Sequence, residues 1–219
     1  IFTVGGTIVK GIRNSVRAVS ESCGISAVVH EVRHSPSPVV AVIAPAGYGK
    51  TAVLTQWACL EERKTAWATI TTDDDDPALL LTVLTAAFAQ VSEPVAQLSL
   101  AALDPVAAPH RGAVALAAAL RQTVDPFVVF VDDVQAAADP ACEAILATIL
   151  AAVPPGSAVA LASRRALPFL ARQRVERRVH QVGVRHLRLD LAGARRIAEE
   201  SGVKPSDADL EEWLRRCDG

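Results

Sequence analysis

Methionine is absent from this 219-residue chain, position 1 included, so the sequence reads as a processed or excised piece of a longer product. Neither sign of charge is in excess. The 22 Lys and Arg face 24 Asp and Glu, and a net charge of −2 gives no general attraction for nucleic acid or an anionic membrane. The cysteines, Cys23, Cys59, Cys142 and Cys217, form no C-x-x-C pair and have no histidine at ligand spacing. Neither a zinc site nor a disulfide framework is indicated, and buried thiols in a reducing cytosol are the better reading. The longest apolar tract, Ala144 to Val153, is too short to span a bilayer and stops at Pro154 and Pro155. Lys10 and Arg13 are not followed by an apolar core and a small-residue cleavage site. A cytoplasmic location without membrane contact is expected. Aromatics are scarce at 4% against 51% hydrophobic residues, so alanine-rich helices can pack closely around a core.

A chain of this length holds one full α/β domain and a small appendage. The stretch from Val39 to Thr55, VVAVIAPAGYGKTAVLT, organises it: an apolar β-type run, a glycine turn, then helical apolar spacing. Strand, glycine loop and helix form the context that turns a P-loop string into a phosphate site. Successive backbone N–H groups from Gly47 to Thr51 can converge on phosphate oxygens, and the positive helix N-terminus favours the same charge. Lys50 then reaches the β- and γ-phosphates and the Thr51 hydroxyl sits on Mg²⁺. Pro45, Ala46, Gly47, Tyr48, Gly49, Lys50, Thr51 and Ala52 are thus the expected nucleotide-binding residues. Ala44 stands where the first glycine of the motif is usual, which a methyl tolerates if its φ is negative.

The second decisive element is Phe127 to Asp133, FVVFVDD, a buried parallel strand with two carboxylates at its C-terminal end. Asp132 is expected to hold the Mg²⁺ shell, and Asp133 to orient or deprotonate the attacking water. A further buried strand, Ala158 to Ser163, presents Arg164 to the same crevice as a sensor of the γ-phosphate, the alternative being a surface arginine. Lys50, Asp133 and Arg164 are therefore the expected catalytic residues, and Thr51 and Asp132 the expected metal ligands.

Elsewhere the chain reads as scaffold. Residues 1–37 carry no assignable chemistry beyond a helix around Asn14 to Ser22. Val53, Trp57 and Leu60, broadened by Leu54 and Ala58, give the helix after the loop its buried stripe. Ala66 to Thr71 is β-prone. The run Asp73 to Asp76 reads as a solvated helix start with Asp76 capping and Pro77 at the first position, rather than as a metal site. Ser92 to Arg111 reads as a proline-interrupted connection before a helix from about Gly112 to Gln122. Asp139 and Pro140 start another helix. Between Arg164 and Arg188 eight arginines accompany one acid, Glu176, in an amphipathic element with Leu167, Phe169, Leu170 and Val175 on its apolar side. His180 and His186 sit among these arginines without acidic partners, so catalysis by either is not expected. Leu187 to Leu189 reads as a last strand. Two short helices follow, capped by Asp190 and Ser206, the first stopping at Gly202.

With both nucleotide elements placed, the sequence resembles the signal-transduction ATPases with numerous domains (STAND), and most closely the nucleotide-binding module of MalT-like, LuxR-type transcriptional regulators. The matching residues are Pro45 to Thr51 with Gln56 and Trp57, Trp67 with Asp73 to Leu84, FVVFVDD, Ser163 and Arg164, and Leu167 to Arg174. They lie within roughly Val39 to Gly219. Val134 and Gln135 depart from the aromatic and histidine usual after the paired aspartates. The resemblance implies a P-loop NTPase three-layer α/β sandwich with a mostly parallel sheet, over 38–189. An N-terminal segment, 1–37, precedes it and the truncated start of a helical subdomain, 190–219, follows. It also implies ATP or ADP with Mg²⁺ as ligands, and a helical sensor region and helix-turn-helix as partner domains in the longer chain. Nucleotide-dependent self-association is among the expected partnerships; specific DNA binding by this fragment is not. The expected function is an ATP-binding, slowly hydrolysing switch in a bacterial transcriptional regulator. A P-loop kinase acting on a small molecule, or a scaffold that binds nucleotide without turnover, remain the alternatives.

Overall fold

The computed structural model describes residues 25–99 and 103–217. The helix expected at Asn14 to Ser22 lies outside the described residues. In chain order the elements are α1 (Ile25–Arg33), β1 (Val39–Ile43), α2 (Lys50–Leu60), β2 (Lys64–Thr69), α3 (Pro77–Ala89), α4 (Glu93–Ala96), α5 (Pro109–Arg121), β3 (Phe127–Asp132), α6 (Pro140–Leu150), β4 (Ala158–Ser163), α7 (Ala171–Val175), β5 (Val179–Gly183), α8 (Val184–Leu187), α9 (Leu191–Glu200) and α10 (Asp207–Cys217). Single 3₁₀ turns join several of them.

The five strands form one parallel sheet in the order β2-β3-β4-β1-β5. Successive side chains of a strand point to opposite faces, so the continuous apolar runs of β1, β3 and β4 fill two cores at once. Val39, Ala41, Val129, Val131 and Leu161 meet α3, α5 and α6 on one face. Val40, Val42, Phe130, Ala160 and Val182 meet α1 and α2 on the other. This sorting follows from chain direction. The step from β1 to β2 runs one way across the sheet, and all later steps run back; with crossovers of one hand, α2 must then lie on the face opposite to α3, α5 and α6.

The parallel register aligns the strand ends. Ile43 pairs with both Ser163 and Gly183, and Thr69 pairs with Asp132. The loops after β1, β3 and β4 therefore emerge side by side at one edge, where an open α/β sheet places its ligand crevice.

Several expectations are corrected. The last strand is Val179–Gly183, not Leu187 to Leu189; Leu187 closes the helical turn α8, where it is buried. Leu60 is 49% exposed, so the buried stripe of α2 consists of Val53, Leu54, Trp57 and Ala58. Val175 is also exposed, while Leu167 and Leu170 are buried. The connection from Ser92 to Arg111 contains α4, capped by the Ser92 hydroxyl, and α5 begins at Pro109. The aspartate run is not simply solvated. Asp74 accepts from the Thr71 amide and hydroxyl, Asp75 Oδ1 accepts from the amides of Ala138 and Asp139 at 2.6 Å, and Asp76 caps α3. His180 Nε2 does have an acidic neighbour, Glu31 Oε1 of α1 at 3.0 Å, although the contact is misaligned for a hydrogen bond. Asp190 caps α9, and Gly202 follows it with a φ of 77°. No helix among the described residues is long and apolar enough to cross a membrane.

Candidate functional site

The glycine loop leaves β1 at Ala44, whose amide donates to the Ser163 carbonyl across the sheet edge. Ala44 is not among the described residues of positive φ, which meets the condition for an alanine there. Gly47 and Gly49 take φ values of 88° and 70°, the left-handed region that costs an L side chain but not glycine. Nothing lies within 4 Å of a Cβ built on Gly47, so backbone conformation and not space demands glycine. The loop delivers the chain into α2 with Gly49 at the N-cap and no side chain capping it. By contrast, Asp76, Ser92, Asp139 and Asp190 each cap their helices by accepting backbone N–H groups. The first amides of α2 thus face the crevice with their partial positive charge directed outward.

Lys50, Thr51, Asp133 and Arg164 line one open cleft of about 170 Å³ with Ala46, Gly47 and Gly49. The Lys50 Nζ donates to the Pro45 carbonyl at 2.7 Å. Burial lowers its pKa from 10.5, helped by the nearby Arg164 guanidinium and opposed by Asp132 and Asp133. An anionic group in the cleft would relieve both unfavourable influences. Pro45 contributes its carbonyl, whereas Tyr48 packs against the α1/α2 core. Pro45, Tyr48, Ala52 and Asp132 do not line the cleft.

Behind the loop, the Thr51 hydroxyl donates to Asp132 Oδ2 at 2.7 Å, joining residues 81 positions apart. Asp132 is buried and its Oδ1 accepts the Asp133 amide at 2.9 Å. A hydroxyl and a carboxylate so placed are the hard oxygen donors that suit Mg²⁺, which completes its shell with water and phosphate oxygens. Among the described residues no cluster of three or more His, Cys, Asp or Glu side chains forms a metal site of its own.

The chain turns sharply after β3. Asp133 adopts a φ of 55°, unusual for a residue with a side chain. Its Oδ1 accepts from Gln135 Nε2 at 2.7 Å and lies 3.5 Å from Arg164 Nη2. Gln135 Oε1 accepts the Arg164 amide at 2.9 Å. Gln135 is the residue that sequence reading missed: it registered only as a departure from the family pattern, and its partner is 29 residues away. Ser163, fully buried, holds the turn after β4 by donating to the Arg165 carbonyl at 2.7 Å.

The Walker-type ATPase of Pyrococcus abyssi has a similar fold, with a TM-score of 0.50 at 15% identity over 85% of this chain and 60% of that one. The Aeropyrum pernix ORC1 protein in complex with DNA gives 0.46 at 15% identity, over 85% and 48%. AMPPCP-bound DnaA from Aquifex aeolicus gives 0.44 at 15%, over 86% and 54%. The chain thus spans about half to three-fifths of those solved proteins. No curated protein matches the sequence significantly. The sequence profile of the AAA ATPase domain matches residues 24–173, from α1 through the glycine loop and both acidic and arginine-bearing strand ends, and the chain belongs to that family.

Proposed function

We propose that this chain is an ATP-binding, slowly hydrolysing switch module of a cytoplasmic, MalT-like transcriptional regulator. The observation that carries the nucleotide reading is the hydrogen bond from Thr51 to Asp132. It brings the loop hydroxyl and a strand-end carboxylate together beside an uncapped helix N-terminus. Lys50 and the loop amides would bind the phosphates, with Pro45 to Ala52 as the cradle. Thr51 and Asp132 would hold Mg²⁺, which when bound neutralises phosphate charge.

Asp133 would orient water, and Arg164 would distinguish ATP from ADP through the γ-phosphate. Such a contact, made with one nucleotide only, supplies the differential free energy a switch requires. Residues 38–189 would form the nucleotide domain and 190–219 the start of a helical subdomain. Their partners would be further domains of a longer chain, with self-association governed by the nucleotide. The net charge of −2 argues against specific DNA binding by this part alone. A small-molecule kinase would need an acceptor pocket and lid from the segment after Ser163. That segment instead forms the crossover into β5, with Leu167 and Leu170 buried in the core.

The test is phosphate release from Mg·ATP with and without small-molecule acceptors. Slow release to water, independent of acceptor and lost in Asp133→Asn, is expected. Acceptor-dependent turnover would establish a kinase, and binding without release a scaffold.

A further inference from the structure

Asp133, Gln135 and Arg164 close a small ring across the ends of β3 and β4. Asp133 Oδ1 accepts from Gln135 Nε2, Gln135 Oε1 accepts the Arg164 amide, and the Arg164 guanidinium returns to Oδ1 of Asp133. Both contacts to the Asp133 carboxylate fall on Oδ1; Oδ2 is engaged by neither. The Asp133 backbone is fixed as well. Its amide is held by Asp132 Oδ1 and its carbonyl accepts the Ala136 amide at 2.9 Å. The side chain, by contrast, stands partly in solvent, at 36% exposure, and could swing without Gln135.

We propose that Gln135 is a positioning residue for ATP hydrolysis, holding the Asp133 carboxylate by Oδ1 so that Oδ2 meets the attacking water. The inference rests on the hydrolytic reading above. As the water oxygen bonds to the γ-phosphorus, the bond to the bridging oxygen breaks and ADP leaves, while the water proton passes to Asp133 Oδ2. An amide is suited to this post because it is donor and acceptor at once. Its N–H₂ restrains the carboxylate without neutralising it, and its carbonyl pins the backbone of the residue that bears the γ-phosphate sensor. The turn after β3 and the turn after β4 are thereby one unit, and Arg164 cannot leave Asp133 without the Gln135 amide remaining to hold the carboxylate in place.

The test uses the full 219-residue chain with Gln135→Ala and the isosteric Gln135→Glu, measuring Mg·ATP affinity by calorimetry and phosphate release in single turnover. Gln135→Ala is expected to keep Mg·ATP affinity within about threefold and to slow release at least ~10-fold. Gln135→Glu keeps an acceptor for the Arg164 amide but repels the Asp133 carboxylate, so it is expected to slow release at least as much, with affinity again kept. A merely structural role would lower affinity and rate together, and that result overturns the proposal. Wild-type rates in both variants overturn it too, while leaving the hydrolytic reading intact. A wild-type chain that binds Mg·ATP and releases no phosphate overturns both.

Discussion

Helix α2 has a buried charge at each end, and the two are treated in opposite ways. At its start, Lys50 makes one hydrogen bond, to the Pro45 carbonyl, beside backbone amides that no side chain caps. Just past its end, Glu61 is saturated. Its Oε1 accepts from the amides of Glu62 and Arg63 and from Arg63 Nε, and its Oε2 from Trp57 Nε1 and Arg63 Nη2. Arg63 in turn donates to the Gly156 carbonyl at 2.8 Å. Burial by itself would raise the Glu61 pKa, but the hydrogen bonds from Arg63 and Trp57 outweigh it and hold the value at about 2. Burial depresses Lys50 with only partial compensation. A charge kept for architecture has its partners within a few residues and leaves none of its capacity unused. The charge proposed to meet a ligand has donors left over, and the groups that face it arrive from distant strands.

The contrast is broken most severely by Asp133→Asn. Removing the carboxylate proposed as the base is expected to lower phosphate release by on the order of 10² to 10⁴ while leaving Mg·ATP affinity unchanged. Rapid-quench and calorimetric measurements on the same preparation check both halves.

At the closed end, Glu61→Ala strands Arg63 and the Trp57 N–H, and is expected to destabilise the fold by about 3 kcal/mol. Urea unfolding measures that loss; nucleotide affinity of the folded fraction should not change. The same pair has a pH signature. Because the folded pKa of about 2 lies below the ordinary 4.5, the stabilisation is complete above the ordinary value and disappears as pH falls through the folded one. Wild type should lose roughly 3 kcal/mol more than Glu61→Gln on acidification from about pH 5 to about pH 2.

Lys50→Ala is expected to weaken Mg·ATP binding by about 10- to 150-fold, or roughly 1.5 to 3 kcal/mol, without lowering the melting temperature. A Lys50 variant that melted early would place this charge with Glu61 as architecture. The smallest effect is expected from Asp76→Ala. Removing the α3 cap should cost about 1 kcal/mol of stability in urea and nothing in nucleotide affinity.

The parts legible in the sequence are those where local signals agree with tertiary placement. In Val39 to Thr51 the apolar run, the glycines and the helix start all describe one geometry, and FVVFVDD and AVALAS announce strands buried on both faces. Strand β5 is weakly marked in the sequence because VHQVG is an edge strand with only Val182 fully buried, whereas the more apolar Leu187 to Leu189 mimics a strand. The aspartate run misled for a related reason. Four acids in a row look solvated until the turn after β3 arrives to receive Asp75. Gln135 carried no periodic or compositional mark, and its role exists only once β3 and β4 lie side by side.

The packing around Phe130 has an optical consequence. Trp57 meets that ring edge-on at 5.4 Å, and Trp67 stacks on it at 5.4 Å and 24°. Phe130 lies two residues before Asp132 on the same strand, so the indole pair reports the contact between the loop helix and the strand that ends in the acidic turn. The third tryptophan, Trp213, is 44% exposed on α10. Trp57 is fully buried and Trp67 partly so, and acrylamide would quench Trp213 first and Trp57 last, so the native chain has separate fluorescent channels for its sheet and its C-terminal helices, with no label attached.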